Sequence, residues 1–337
     1  MRDRYGREAT DLRISLTQRC NLRCVFCHME GQPVTTEELG AEQIERVVKA
    51  GREVGIDRVK LTGGEPTLRT DIVEIVRRIR PYVDEVSMTT NGLRLDRLAG
   101  PLAEAGLDRV NVSLPSLDAA VYRELTGVDG MARAVEGIRA AARAGLAPIK
   151  LNVVALAGST SEPESVDRLL AFAQSLGAWV QLIEFENVSG RVNPSVYRNL
   201  HSELGRLSEE AARRAFHTEH NRLHDRPRYT FESSGRPVTV EVVQPVENPS
   251  FCMACHRLRL TSDGRLKGCL MTNSGLVDLR PLLGPDAPLS ELVRAFEVAI
   301  DRRRPFFVGP QTPSPTPAFS SDSVVGAPEL PVLSVRP

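Results

Sequence analysis

The sequence is poor in lysine: only Lys49, Lys60, Lys150 and Lys267 stand among 43 basic residues, and the other 39 are arginines. A guanidinium is a planar fork and an ammonium a point charge, so any anion site in this chain has mainly bidentate donors to offer. Net charge is lacking too, because 43 acidic residues offset the 43 basic ones. Proteins that track along nucleic acid or lie on an anionic membrane carry a basic excess, so neither partner is expected. No stretch of roughly 18 apolar residues offers a membrane span, and the charged start MRDRYGREAT has no apolar core of a secretory signal. The expected location is the cytoplasm. Cysteine is scarce, at six residues, and disulfides are not expected in a reducing compartment. Their spacing is therefore read first as metal or cluster ligation.

What is present is rhythm. From Leu12 to about Glu186, short β-branched or apolar runs alternate with longer amphipathic ones, the pattern of parallel βα units. Strands are expected at Leu12–Leu16, Arg58–Thr62, Glu85–Thr89, Arg109–Leu114, Ile149–Ala155 and Trp179–Glu184, and helices at Ala41–Val54, Asp71–Arg80, Met131–Ala144 and Glu164–Leu176. Six such units predict an α/β fold, a partial, open six-unit (βα) barrel over residues 1–190. A C-terminal extension is expected over 191–308, beginning with a helical stretch at about Pro194–His224 on which His217, His220 and His224 would form a solvated face. Hairpins are expected at Tyr229–Phe231 with Val238–Val243, and around the Ser262-Asp263-Gly264 turn, before a last helix at about Leu289–Arg304. The Pro- and Ser-rich tail, 309–337, reads as flexible.

Cys20, Cys24 and Cys27 have CxxxCxxC spacing directly after the first strand, at the mouth where barrel enzymes build their sites. A fully ligated [4Fe–4S] cluster takes four thiolates, so three leave one iron open for a substrate or cofactor. The alternatives are a zinc site completed by His28 and three buried small hydrophobes. Gly63-Gly64-Glu65-Pro66 follows the second strand, where glycines allow close backbone approach and Glu65 suits a cationic amine. The second triplet is Cys252, Cys255 and Cys269, which fits another cluster with an open iron or, with His256, a zinc site. Arg257 and Arg259 alternate with Leu258 and Leu260, so on a strand both guanidiniums share one face beside that triplet.

CNLRCVFC together with LTGGEPTLR resembles the radical S-adenosylmethionine (SAM) superfamily. The resemblance implies that Cys20, Cys24 and Cys27 hold a [4Fe–4S] cluster whose open iron chelates the methionine moiety of S-adenosylmethionine, and that reductive cleavage yields a 5′-deoxyadenosyl radical. It assigns Gly63, Gly64 and Glu65 to the methionine amine, and Thr90, Ser113 and Asn152 to the same cofactor. Over Asp11 to Leu283, with DLRISLTQRCNLRC, RVNVSLPSL and FCMACHRLRLTSDG, the chain resembles the GTP 3′,8-cyclase family that begins molybdenum-cofactor biosynthesis. That likeness implies a second [4Fe–4S] cluster on Cys252, Cys255 and Cys269 that binds the guanine, with Arg13, Arg257 and Arg259 on the phosphates. It turns Lys60 and Lys150 into the barrel as helpers for the substrate's charge. A low-potential electron donor such as flavodoxin or ferredoxin is implied, and a homodimer is allowed.

There are departures from the family pattern. No glycine follows Gly326, where the family ends in two glycines; Gln18 and Pro115 stand where Asp is usual, and Gln181 stands where Arg is frequent. Three readings follow. The first is conversion of GTP to (8S)-3′,8-cyclo-7,8-dihydroguanosine 5′-triphosphate, and the second is a paralogue forming a C–C bond on another nucleotide or nucleoside in a natural-product pathway. The third is a zinc-binding interaction module with no catalysis.

Overall fold

The computed structural model describes residues 1–32, 34–156, 159–186, 194–233 and 235–307, with the side chains of 194–203 left out of the description. The 309–337 tail and its missing glycine pair lie outside the described residues.

Six parallel strands form the centre of one sheet: β1 (Asp11–Ser15), β2 (Arg58–Thr62), β3 (Glu85–Thr90), β4 (Arg109–Ser113), β5 (Lys150–Val154) and β6 (Trp179–Ile183). Helices α1 (Ala41–Glu53), α2 (Ile72–Ile79), α3 (Leu95–Glu104), α4 (Ala119–Thr126), α5 (Met131–Arg143) and α6 (Pro163–Ser175) connect them. The helices present Ile44, Val47 and Val48, then Ile72, Ile75, Val76 and Ile79, then Ala134, Ile138 and Ala141, at three- and four-residue spacing to the sheet.

Each strand alternates by chemistry. Leu12 and Ile14, Val59 and Leu61, Val110 and Val112, and Leu151 and Val153 are fully buried in the core beneath the helices. The intervening Arg13, Lys60, Asn111 and Lys150 line a cavity on the other face. A closed barrel fills its interior with branched apolar side chains. This one leaves its inner face polar and the barrel open.

The chain beyond residue 190 continues the same sheet at both edges. After α7 (Pro194–Arg214) come β7 (His217–Asn221), β8 (Arg226–Ser233) and β9 (Arg236–Val243), and β9 pairs in parallel with β6. Helix α8 (Pro249–Met253) leads to β10 (Arg257–Leu260), which pairs in parallel with β1 and is followed by β11 (Arg265–Lys267), β12 (Val277–Asp278) and α9 (Leu289–Asp301). The strand order among the described residues is β12-β11-β10-β1-β2-β3-β4-β5-β6-β9-β8-β7.

The helical expectation through His224 fails after Arg214. His217 and His220 lie on an exposed edge strand, and His224 is buried, stacked on Phe251 with ring centroids 4.0 Å apart. Their i, i+3, i+7 spacing fits a helix face by coincidence. Antiparallel pairing of β7 with β8 decides the local structure instead.

Candidate functional site

The loop bearing the first three cysteines is fastened from three sides. Gly64 N donates to Thr17 O at 2.6 Å and Glu65 N to Arg19 O at 2.8 Å. A Cβ at Gly64 would stand 2.3 Å from Arg19 O, and one at Gly63, whose φ is +149°, 2.4 Å from Thr17 O. Only glycine permits that approach of two backbones. Asn91 Nδ2 donates to Asn21 Oδ1 at 2.7 Å, and Arg23 N and Val25 N donate to Thr126 O and Leu125 O at the end of α4. That helix is capped by Asp118, which accepts from Ala120 N and Val121 N, and stopped by Gly127 at φ +74°.

Glu65 is buried, and its carboxylate accepts from Thr67 N at 3.0 Å, Thr67 Oγ1 at 2.5 Å, Thr90 Oγ1 at 2.7 Å and Asn91 N at 2.7 Å. Burial pushes its carboxyl pKa up, against these donors. Glu65 therefore pins the mouth of β2 to the end of β3. The Thr90 hydroxyl is engaged twice, donating to Glu65 and accepting from Gly92 N at 3.1 Å. Ser113 and Asn152 are register partners in the β4–β5 ladder and line the same cavity.

Cys252 lies in α8, capped by Asn248, which accepts from Phe251 N at 3.0 Å; Cys255 follows the helix, and Cys269 follows β11. None of the six cysteines is in a disulfide, and all six line one cavity of about 1790 Å³. Burial pushes the thiols of Cys24, Cys20 and Cys252 up and that of Cys269 to about 11. Thiols in such surroundings are poor free nucleophiles, and coordination to metal is what deprotonates them. Two sets of three soft donors, each one cysteine short of four, fit two [4Fe–4S] clusters that each keep an iron open. His28 caps the turn after the first motif, its Nδ1 accepting from Glu30 N at 3.0 Å.

The five cations proposed for substrate fall into three groups. Arg13 and Arg259 are register partners in neighbouring strands, and Glu30 sits between them, 2.7 Å from Arg13 Nη2 and 2.9 Å from Arg259 Nη1. Burial would raise the Glu30 carboxyl, but the two guanidiniums hold it down at about 2. Lys150 lies 2.8 Å from Glu241. Lys60 bonds Asn111 Oδ1 at 2.9 Å and has no carboxylate partner among the described residues, and neither does Arg257. Burial, with Arg109 and Arg13 nearby, pushes the Lys60 pKa well down; burial, with Arg13 and Arg259 nearby, lowers that of Arg257. These two are the proposed substrate cations with no carboxylate in ion-pair contact among the described residues, although Asp11 opposes the charge of Arg257.

No sequence pattern marks Glu241 as a hub. Fully buried on β9, it accepts from Lys150, from Arg228 at 2.8 Å, from Asn221 at 3.2 Å and from Gln181, and pairs with Arg226 at 3.0 Å. Gln181 also accepts from Asn111 at 3.2 Å, and Lys150 and Arg228 each lie 4.8 Å from the centre of the Trp179 ring. Glu30 was missed as well, although it stands three residues past Cys27. Glu184 and Glu186 both line the cavity, and Glu184 accepts from Val246 N at 2.7 Å.

Residues 14–170 match the family model described as Radical SAM superfamily, and 178–307 match Molybdenum Cofactor Synthesis C. A probable GTP 3′,8-cyclase of Thermococcus kodakarensis is 46% identical over 306 residues, covering 90% of this chain and 99% of that protein. Probable GTP 3′,8-cyclases of Sulfurisphaera tokodaii and Archaeoglobus fulgidus are 44% and 39% identical, covering 91% and 92% of this chain and 97% and 100% of theirs. Among solved structures, SuiB of Streptococcus suis bound to its precursor peptide SuiA shares the fold with a TM-score of 0.60 at 17% identity. That match covers 86% of this chain, which spans 65% of the length of SuiB.

Proposed function

The chain belongs to the GTP 3′,8-cyclase family of the radical SAM superfamily, and from that premise we propose that its cavity converts GTP to (8S)-3′,8-cyclo-7,8-dihydroguanosine 5′-triphosphate in molybdenum-cofactor biosynthesis. The observation that carries the reading is the opening of both cysteine triplets onto one cavity with a cationic wall. Two [4Fe–4S] clusters, the first with S-adenosylmethionine, supply the one-electron chemistry that side chains lack. The polypeptide's part is placement. Cys20, Cys24 and Cys27 hold the first cluster while Gly63, Gly64, Glu65, Thr90, Ser113 and Asn152 shape the adjoining cofactor pocket. Cys252, Cys255 and Cys269 would hold the second cluster, whose open iron would be free to bind the base. Arg257 and Lys60, which have no carboxylate in ion-pair contact, face the phosphates, flanked by Arg13 and Arg259, whose forks suit phosphate oxygens.

In this division, 1–190 generates the radical and 191–308 presents the substrate to it. No helix among the described residues is long and apolar enough to cross a membrane. A flavodoxin- or ferredoxin-class donor delivering electrons in the cytoplasm, to a chain able to act as a homodimer, completes the proposal.

The test is to incubate the reduced, cluster-loaded protein with S-adenosylmethionine and each nucleoside triphosphate in turn, and to follow 5′-deoxyadenosine. GTP is expected to raise its formation well above the substrate-free background, with a cyclised product in step. Stimulation by another triphosphate and none by GTP overturns the reading.

A further inference from the structure

The segment carrying Cys252 and Cys255 is gripped by two arginines from distant parts of the chain. Arg7 Nη1 donates to Cys252 O at 3.0 Å, and Arg303 Nη2 donates to Cys255 O. Asp3 links them, 2.8 Å from Arg7 Nε and 3.5 Å from Arg303 Nη1. The side chains are 4%, 0% and 0% exposed for Arg7, Arg303 and Asp3, so the triad is a buried ionic group. Asp3 is itself fixed, its Oδ1 accepting from Tyr5 N at 2.9 Å and Arg7 N at 3.0 Å. Arg303 also donates to Glu8 O at 3.0 Å, and its Cγ would lie 3.2 Å from a Cβ at Gly268, the residue before Cys269.

Two features go beyond structural bracing. Among the described residues, Arg7 Nη2 and Arg303 Nε are buried with no hydrogen-bond partner, and an orphaned buried donor of a charged group is costly. The charge of the triad also does not cancel: two guanidiniums and one carboxylate leave one positive charge. An oxidised [4Fe–4S]²⁺ core with three thiolates carries one negative charge, and its one-electron-reduced form carries two. Nearby positive charge and N–H donors favour the reduced form, more so when buried.

We propose that Asp3, Arg7 and Arg303 form a resident counter-charge for the second cluster, fixing its ligand loop and raising its reduction potential. The inference rests on cluster ligation by the second triplet. It assigns the two arginines as positioning and tuning residues distinct from the substrate-facing Arg257 and Arg259.

The test uses the full chain with Cys20, Cys24 and Cys27 replaced by alanine, so that only the second cluster reports, reconstituted anaerobically and titrated with dithionite under electron paramagnetic resonance. Arg7→Gln and Arg303→Gln are expected to lower the ratio of reduced to oxidised cluster at a given potential about tenfold, about 59 mV for one electron. Asp3→Asn keeps the Oδ1 acceptor for Tyr5 N and Arg7 N, replaces the oxygen facing the two guanidiniums by an amide NH2 and removes the negative charge, so the ratio is expected to rise. Mere damage to the fold would not move the two classes in opposite directions. Unchanged potentials with about four irons retained, or shifts of one sign in all three variants, overturn the proposal. If Arg303→Gln fails to hold iron, the opposed pair Arg7→Gln and Asp3→Asn decides. Absence of iron from the parent protein would defeat the cluster assignment instead, which separates the two failures.

Discussion

Glu241→Gln is expected to lower the stability of the fold by about 3–5 kcal/mol, the range for removing one partner from a buried ionic group. The carboxylate is fully buried and faces Lys150, Arg226 and Arg228 within 3.0 Å. Burial alone would raise its pKa, yet Arg226 and Lys150 hold it well below the usual carboxylate range. Glutamine keeps the shape and the bond from Gln181, but leaves Lys150 and Arg226 without a carboxylate in contact and Arg228 with Glu219 alone. Lys150→Met should cost less, since Arg226 and Arg228 still compensate the carboxylate. Thermal unfolding of anaerobic protein at matched iron content checks both. A Glu241→Gln midpoint equal to that of the parent contradicts the hub.

Arg257→Ala is expected to weaken GTP binding about 10- to 100-fold while leaving cluster content unchanged, because a hydrogen bond to a charged group contributes about 1.5–3 kcal/mol. Arg257 differs from its neighbours in having no anionic partner among the described residues, whereas Arg13 and Arg259 share Glu30. A half-buried guanidinium among other guanidiniums, with Asp11 as the nearby opposing charge but no carboxylate in ion-pair contact, is suited to a ligand that brings an anion. The KM for GTP should rise, with substrate-free cleavage of S-adenosylmethionine near its parent level. An unchanged KM would move the phosphates elsewhere in the cavity.

The six central strands could be read from the sequence because each alternates an apolar residue for the helices with a polar one for the cavity, as Leu12-Arg13-Ile14 and Val59-Lys60-Leu61 do. Helix α3 escaped notice because Gly100-Pro101 interrupts its apolar run, and α4 because it is only eight residues long. Pairing of β10 with β1 was not legible, since it joins Arg257 to Asp11 across most of the chain and no local pattern encodes a distant partner. The clue lay in shared chemistry: both strands put arginine on the cavity side and leucine or isoleucine beneath the helices. Cysteine spacing picked out the two triplets that line the cavity. Glu30 and Glu241, which pair the cavity's cations, and Arg303, which holds the loop of the second triplet, are single charges in a chain with 86 charged residues, and only folding distinguishes them from surface ions.

The central claim is that the two triplets serve one substrate in one cavity, with the radical made at Cys20, Cys24 and Cys27 and the nucleotide held at Cys252, Cys255 and Cys269. The most direct measurement is the electron paramagnetic resonance spectrum of the reduced protein with and without GTP, in chains that retain one triplet at a time. GTP is expected to change the spectrum of the chain that keeps only the second triplet and to leave that of the chain keeping only the first unaltered. A response at the first triplet alone, or at neither, would contradict it.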